Sequence, residues 1–117
     1  MPTMELKCTF RFAASHFLTK YHGKCENLHG HNYKINIAIE GPVREDGMVM
    51  DFKEVKTVVK EHIIDKLDHT HLNDTLDNPS AENLSVWIWQ KLKPHLPMLK
   101  SIEVFETDDY QCIYHGQ

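Results

Sequence analysis

Three things are scarce in this chain of 117 residues: an excess of basic charge, long apolar runs, and enough cysteine for a disulfide framework. Lys and Arg number 13 against 17 Asp and Glu, a formal charge of −4, which leaves no electrostatic footprint for nucleic acid. The longest apolar runs are a few residues, far short of the ~20 that cross a bilayer, so no membrane partner is expected. The stretch Met1–Lys7 lacks the basic-then-apolar order of a secretion signal. Cys8, Cys25 and Cys112 are too few and too scattered to staple a fold. The expectation is one cytoplasmic domain over residues 1–117, of a size that supports one core. What the chain has in excess is histidine, 9 in all.

The hydrophobic pattern predicts the elements. Met4, Leu6, Cys8, Phe10, Phe12 and Ala14 alternate with polar residues, a half-buried strand whose inward parity His16 continues. A polar loop follows from Thr19 to Asn27. From about His29 to Glu40, the set His29, His31, Tyr33, Ile35, Ile37 and Ile39 shares one face of a second strand. Gly41-Pro42 ends it, and a turn at Glu45-Asp46-Gly47 leads to a short extended piece at Met48–Met50. Asp51 through Glu54 has capping-box form, and Phe52, Val55, Val59, Ile63 and Leu67 predict a helix to about Leu67. Ser80 is placed to cap a second helix whose stripe is Leu84, Trp87, Ile88 and Leu92. Two strands close the chain, with Ile102, Val104 and Glu106 on one face and a turn at Asp108-Asp109. The order β-β-α-α-β-β predicts an α+β domain, a four-stranded antiparallel sheet with two helices on one face.

His29 and His31 sit at i and i+2 on one strand face, and His16 arrives on the inward parity of the preceding strand. Three neutral imidazoles with an open fourth position form a catalytic zinc arrangement. The imidazole set favours zinc over copper without excluding iron or nickel. Gly30 between the ligands would let the backbone pass closely. The plain alternative is a hydrogen-bonded core histidine beside a chance His-x-His.

Cys25, four residues before His29, could act as nucleophile or base if a nearby cation lowers its thiol pKa; otherwise it is an incidental loop cysteine. Cys8 and Cys112 read as small core hydrophobes. Asp68-His69 could relay protons, or simply end a helix favourably. Glu106 is an inward acid that needs a partner; a planar guanidine-like edge of a ligand would provide one, as would an internal cation or the exposed end of the strand.

Cys25-Glu26-Asn27-Leu28-His29-Gly30-His31, Met48-Val49-Met50-Asp51-Phe52, Leu67-Asp68-His69, Asn78-Pro79-Ser80-Ala81-Glu82-Asn83 and Val104-Phe105-Glu106-Thr107 together resemble the 6-pyruvoyltetrahydropterin synthase/6-carboxytetrahydropterin synthase family. The resemblance runs in order along nearly the whole chain. It implies the tunnelling (T) fold and a homo-oligomer, commonly a hexamer, with active sites at subunit interfaces. It assigns zinc to His16, His29 and His31, the catalytic base to Cys25, and the proton relay to Asp68 and His69. Glu106 would anchor the pterin of a small-molecule pterin triphosphate, with Thr107, Ser80 and Glu82 lining the pocket. Ser80 stands where many relatives carry threonine. The three residues between Cys25 and His29 resemble the bacterial 6-carboxytetrahydropterin synthases of queuosine (7-deazaguanine) biosynthesis. Those lyases convert 7,8-dihydroneopterin triphosphate to 6-carboxy-5,6,7,8-tetrahydropterin, acetaldehyde and triphosphate. Glu26 either is a surface residue or signals a second, folate-linked cleavage of dihydroneopterin. A non-catalytic zinc- or pterin-binding module is the alternative of another class, and the presence of Cys25, Asp68 and His69 argues against it. Arg11, Lys20, Lys24 and Lys34 are candidates for the triphosphate.

Overall fold

The computed structural model describes residues 2–19 and 28–117, without the side chain of His29. β1 (Thr3–His16) and β2 (His29–Pro42) pair antiparallel along their whole length, from Thr3 opposite Pro42 to His16 opposite His29. β2 then pairs with β4 (Leu99–Thr107), and β4 with β5 (Tyr110–Tyr114) through the turn at Asp108-Asp109.

The four-strand, all-antiparallel expectation is corrected. A fifth strand, β3 (Thr70–His71), lies parallel to Ala14–Ser15 of β1, giving a mixed sheet of order β3-β1-β2-β4-β5. Two residues are too short to show a period-two pattern, and the segment is polar, so local periodicity carries no sign of it. The Met48–Met50 piece is a bend rather than a strand, although Val49 is buried.

Both helical layers face one core. α1 (Phe52–Val59) starts at Asp51, whose carboxylate accepts the Lys53 N–H at 2.9 Å. It continues through a π-helical turn (Lys60–Ile64) into a last α turn, α2 (Asp65–Leu67). The predicted helix therefore reaches Leu67, but not with uniform winding. Val55, Val59, Ile63 and Leu67 are all fully buried, and they recur at strict four-residue spacing. At 3.6 residues per turn each such step overshoots by about 40°, or roughly 120° over the three steps. A wider i→i+5 turn takes up the excess and keeps the four side chains on the sheet. A short 3₁₀ turn (Leu72–Asp74) leads on to α3 (Ala81–Leu92), which Ser80 caps by accepting the Asn83 N–H. α3 buries Leu84, Ile88 and Leu92.

Against these helices the sheet buries Phe12, Ala14, Tyr33, Ile35, Ile37, Ile39, Ile102 and Val104. Each large aliphatic contributes about 1.5–3 kcal/mol. The opposite face is polar: Asn36 donates to Glu103 at 2.8 Å, Lys7 reaches Glu103 at 2.9 Å, and Lys100 bridges Glu5 and Glu40. Cys8 and Cys112 are half-buried rather than fully enclosed; Cys112 Sγ lies 2.9 Å from Ser85 Oγ. No helix of the described residues is long and apolar enough to cross a membrane.

Candidate metal centre and active site

Strand register assembles the site. His16 ends β1 on its inward parity and is buried, 1% exposed. Its Nδ1 lies 2.7 Å from the Pro79 carbonyl oxygen just ahead of α3. A carbonyl only accepts, so Nδ1 carries the proton and the lone pair is left on Nε2. His31, opposite Ala14 on β2, brings its ring to 5.0 Å from that of His16 in an edge-on arrangement. β4 adds Glu106, whose Oε2 stands 3.9 Å from His31 Nε2. That separation is too long for a hydrogen bond. One ligand atom from each of His16, His31 and Glu106 lies within 4.8 Å of the others.

The donors suit a metal ion. Two ligands at about 2.0–2.1 Å from a tetrahedral zinc are separated by roughly 3.4 Å, so side-chain rotation would close the group. The His16–Pro79 bond is the outer contact that typically fixes a ligating imidazole. Register sets the His29 backbone directly opposite His16, while its side chain lies outside the described residues. Glu106 is the member of this group that sequence reasoning did not place there, because its nearness to His31 depends on β4 lying beside β2. Gly30 needs a different account from the predicted one: a Cβ there would sit 3.8 Å from the Ala14 oxygen, an ordinary contact, so close backbone approach does not require the glycine.

Glu106 also faces a cavity of about 210 Å³ that it lines with Ala81, Glu82, Tyr110, Gln111 and Cys112. The structure thus brings Glu82 and Glu106 together. Ser80 Oγ is engaged as the cap of α3, and Thr107 Oγ1 accepts the Asp109 N–H at 3.3 Å in the β4–β5 turn.

Asp68 and His69 occupy the connection between α2 and β3. Asp68 Oδ1 accepts the Ala13 N–H at 3.0 Å, and its Oδ2 lies 3.1 Å from His69 Nδ1. The Ala13 amide, aided by His69, holds the Asp68 carboxyl below the usual carboxylate range. His69 has φ 59, a left-handed conformation uncommon for a residue with a side chain, and its side chain is 82% exposed. Its N–H donates to the Ala13 carbonyl at 2.6 Å, pinning the bend to β1. His69 and His31 line one open cavity of about 600 Å³ with Ser15, Asn32, Thr70 and His71. His71 Nδ1 meets Ser15 Oγ at 3.0 Å, so it braces β3 against β1.

Cys25, Glu26, Lys20 and Lys24 lie outside the described residues. Of the other phosphate candidates, Arg11 is exposed and Lys34 Nζ sits 4.1 Å over the Phe105 ring. Among the remaining histidines, His62 and His95 stack on each other at 4.0 Å. Sequence reasoning placed Tyr33 on the inward face without giving it a role. Its ring lies edge-on to both His16 and His31, at 5.9 and 5.5 Å. Burial, together with the Glu106 charge, pushes its phenol pKa up.

A profile of the 6-pyruvoyl tetrahydropterin synthase family matches residues 5–117. The Dictyostelium discoideum 6-pyruvoyl tetrahydrobiopterin synthase is 40% identical over 84% of this chain and 78% of its own. The Synechocystis 6-carboxy-5,6,7,8-tetrahydropterin synthase is 38% identical, covering 84% of this chain and 82% of that protein. The Pyrococcus furiosus dihydroneopterin monophosphate aldolase is 36% identical over 73% of this chain and 75% of its own. Among solved structures, that of Caenorhabditis elegans 6-pyruvoyl tetrahydropterin synthase superposes with a TM-score of 0.91 at 27% identity, covering 100% of this chain and 98% of that one.

Proposed function

The chain belongs to the 6-pyruvoyl tetrahydropterin synthase family, and we propose that it is a zinc-dependent carbon–carbon lyase acting on 7,8-dihydroneopterin triphosphate. The products are 6-carboxy-5,6,7,8-tetrahydropterin, acetaldehyde and triphosphate, and the step serves queuosine biosynthesis in the cytoplasm. The observation that supports this most is the convergence of His16, His31 and Glu106 beside the Glu82–Glu106 cavity. The Synechocystis relative and the short Cys25-to-His29 interval favour the carboxy product over the pyruvoyl one.

His16, His29 and His31 hold the metal. Bound zinc supplies Lewis acidity that lowers the pKa of hydroxyls facing it. Glu106 accepts hydrogen bonds from the 2-amino and N3 edge of the pterin, a planar donor pair suited to a carboxylate. Glu82 lines the same pocket, and the family resemblance adds Ser80 and Thr107 as further substrate contacts. Cys25 takes a proton from the substrate side chain, and His69, oriented by Asp68, moves a proton to or from the reacting atoms. The outward exposure of His69 supports a homohexamer in which the Asp68–His69 pair completes the site of a neighbouring copy.

A second reading is favoured by Glu26 and by the aldolase relative: cleavage of the dihydroneopterin side chain to 6-hydroxymethyl-dihydropterin, alone or alongside the first activity. Incubating the protein with dihydroneopterin and with its triphosphate, and identifying products by mass, separates the two. Carboxy product from the triphosphate, lost in Cys25→Ala, supports the first reading. Hydroxymethyl product lost in Glu26→Ala supports the second. Binding of zinc and pterin with no product from either substrate rejects both and leaves a binding module.

A further inference from the structure

The hydroxyl of Tyr33 is the unusual polar group of this site. It is fully enclosed and has no hydrogen-bond partner among the described residues. Buried hydroxyls in folded proteins are nearly always paired, and leaving one unpaired costs free energy that packing alone does not return. The ring is firmly placed: it stacks on Phe12 at 5.1 Å with an interplanar angle of 13°, and both imidazoles of the metal group lie edge-on to it. Tyr33 comes one residue before the Lys34–Phe105 pair of the β2–β4 ladder. That position is beside Glu106 in the same row of the sheet. A rigid, desolvated donor is therefore carried on a ring flanked by both imidazoles, in the sheet row of Glu106.

We propose that Tyr33 is a further substrate-contacting residue, its O–H donating a hydrogen bond to an acceptor oxygen or nitrogen of the pterin-class molecule bound beside the metal group and Glu106. The inference rests on the pterin reading above. It requires no proton transfer by Tyr33, which acts only as a hydrogen-bond donor. The hydroxyl is desolvated by the fold itself, so its bond to a ligand displaces little water and the cost of burying it is already met in the free protein.

The test is Tyr33→Phe, which keeps the ring and its contacts and deletes only the hydroxyl. Zinc-loaded protein and variant are titrated calorimetrically with 7,8-dihydroneopterin. Zinc affinity is measured by competition with a chromogenic chelator, and both proteins are melted with and without the pterin. The expected result is roughly tenfold weaker dihydroneopterin binding in the variant with unchanged zinc affinity. The ligand-free variant should melt at the same or a higher temperature than the parent, because an unpaired buried hydroxyl has been removed. Equal dihydroneopterin affinity in the two proteins overturns the inference while leaving the pterin reading intact. A variant that melts lower with ligand affinity unchanged also overturns it, since the hydroxyl would then be bonded within the protein. If the parent itself binds no dihydroneopterin, the underlying pterin reading fails and the inference with it.

Discussion

At the residue scale, Glu106 is the pivotal side chain, because it stands both 3.9 Å from His31 and on the wall of the Glu82 cavity. If its work is to hold the pterin edge, Glu106→Gln should weaken dihydroneopterin binding about 10- to 100-fold, the range of charge-assisted hydrogen bonds. Zinc content of the purified variant should be unchanged; loss of zinc would make Glu106 a ligand instead. Asp68 allows a second test through pH. The Ala13 amide holds its carboxyl below the ordinary value near 3.9. The unfolded chain then binds the proton first as pH falls. Asp68 thus contributes stability that is present above the ordinary value and is lost as pH drops through the depressed one. Denaturant titrations should show a shallower decline of stability below about pH 4 in Asp68→Asn than in the parent. Identical slopes would remove Asp68 from the acid limb. The inward facing of His16 and His31 was legible because strand parity assigns faces without knowledge of the fold. The Pro79 carbonyl that orients His16 was not, since 63 residues separate the partners and a main-chain oxygen leaves no mark in side-chain patterning.

Elements differ in how local their causes are. β1, β2 and α3 follow from period two, period 3.6 and an N-cap serine, and their bounds fall close to those that pattern predicts. β3 follows from none of these: it exists because His69 turns left-handed and its N–H meets the Ala13 carbonyl. That is a tertiary cause acting on two residues. The π turn sits between these cases, since its reason, four buried residues at four-residue spacing, is written in the sequence but matters only once a flat sheet must be covered. The start of α1 is a local matter and can be tested alone. Asp51→Ala should cost about 1 kcal/mol by urea unfolding with an unchanged m-value. It should leave zinc content and turnover per folded molecule as in the parent, because the cap touches none of the site residues. A destabilisation well beyond ~2 kcal/mol would mean that Asp51 does more than cap.

At the scale of the whole molecule, the long β1–β2 ribbon gives dimensions of 52 × 24 × 24 Å. The helices fully cover only the His16 end of β1: Phe12, Ala14 and His16 are buried, while Leu6, Cys8 and Phe10 are half-covered and Met4 is 52% exposed. The site lies at the covered end, and the Asp68–His69 pair opens outward from it. The proposed homohexamer would account for that outward pair, and light scattering should then return six times the chain mass at micromolar concentration. A monomer active at full rate would contradict it. We propose that cleavage of a pterin triphosphate depends on a metal held by the histidine cluster. Its most direct test is product formation from 7,8-dihydroneopterin triphosphate, followed by mass spectrometry, in zinc-loaded protein, chelated protein and chelated protein given zinc again. The expected result is 6-carboxy-5,6,7,8-tetrahydropterin and acetaldehyde in the first and third and background in the second. Full turnover by the chelated protein would contradict it.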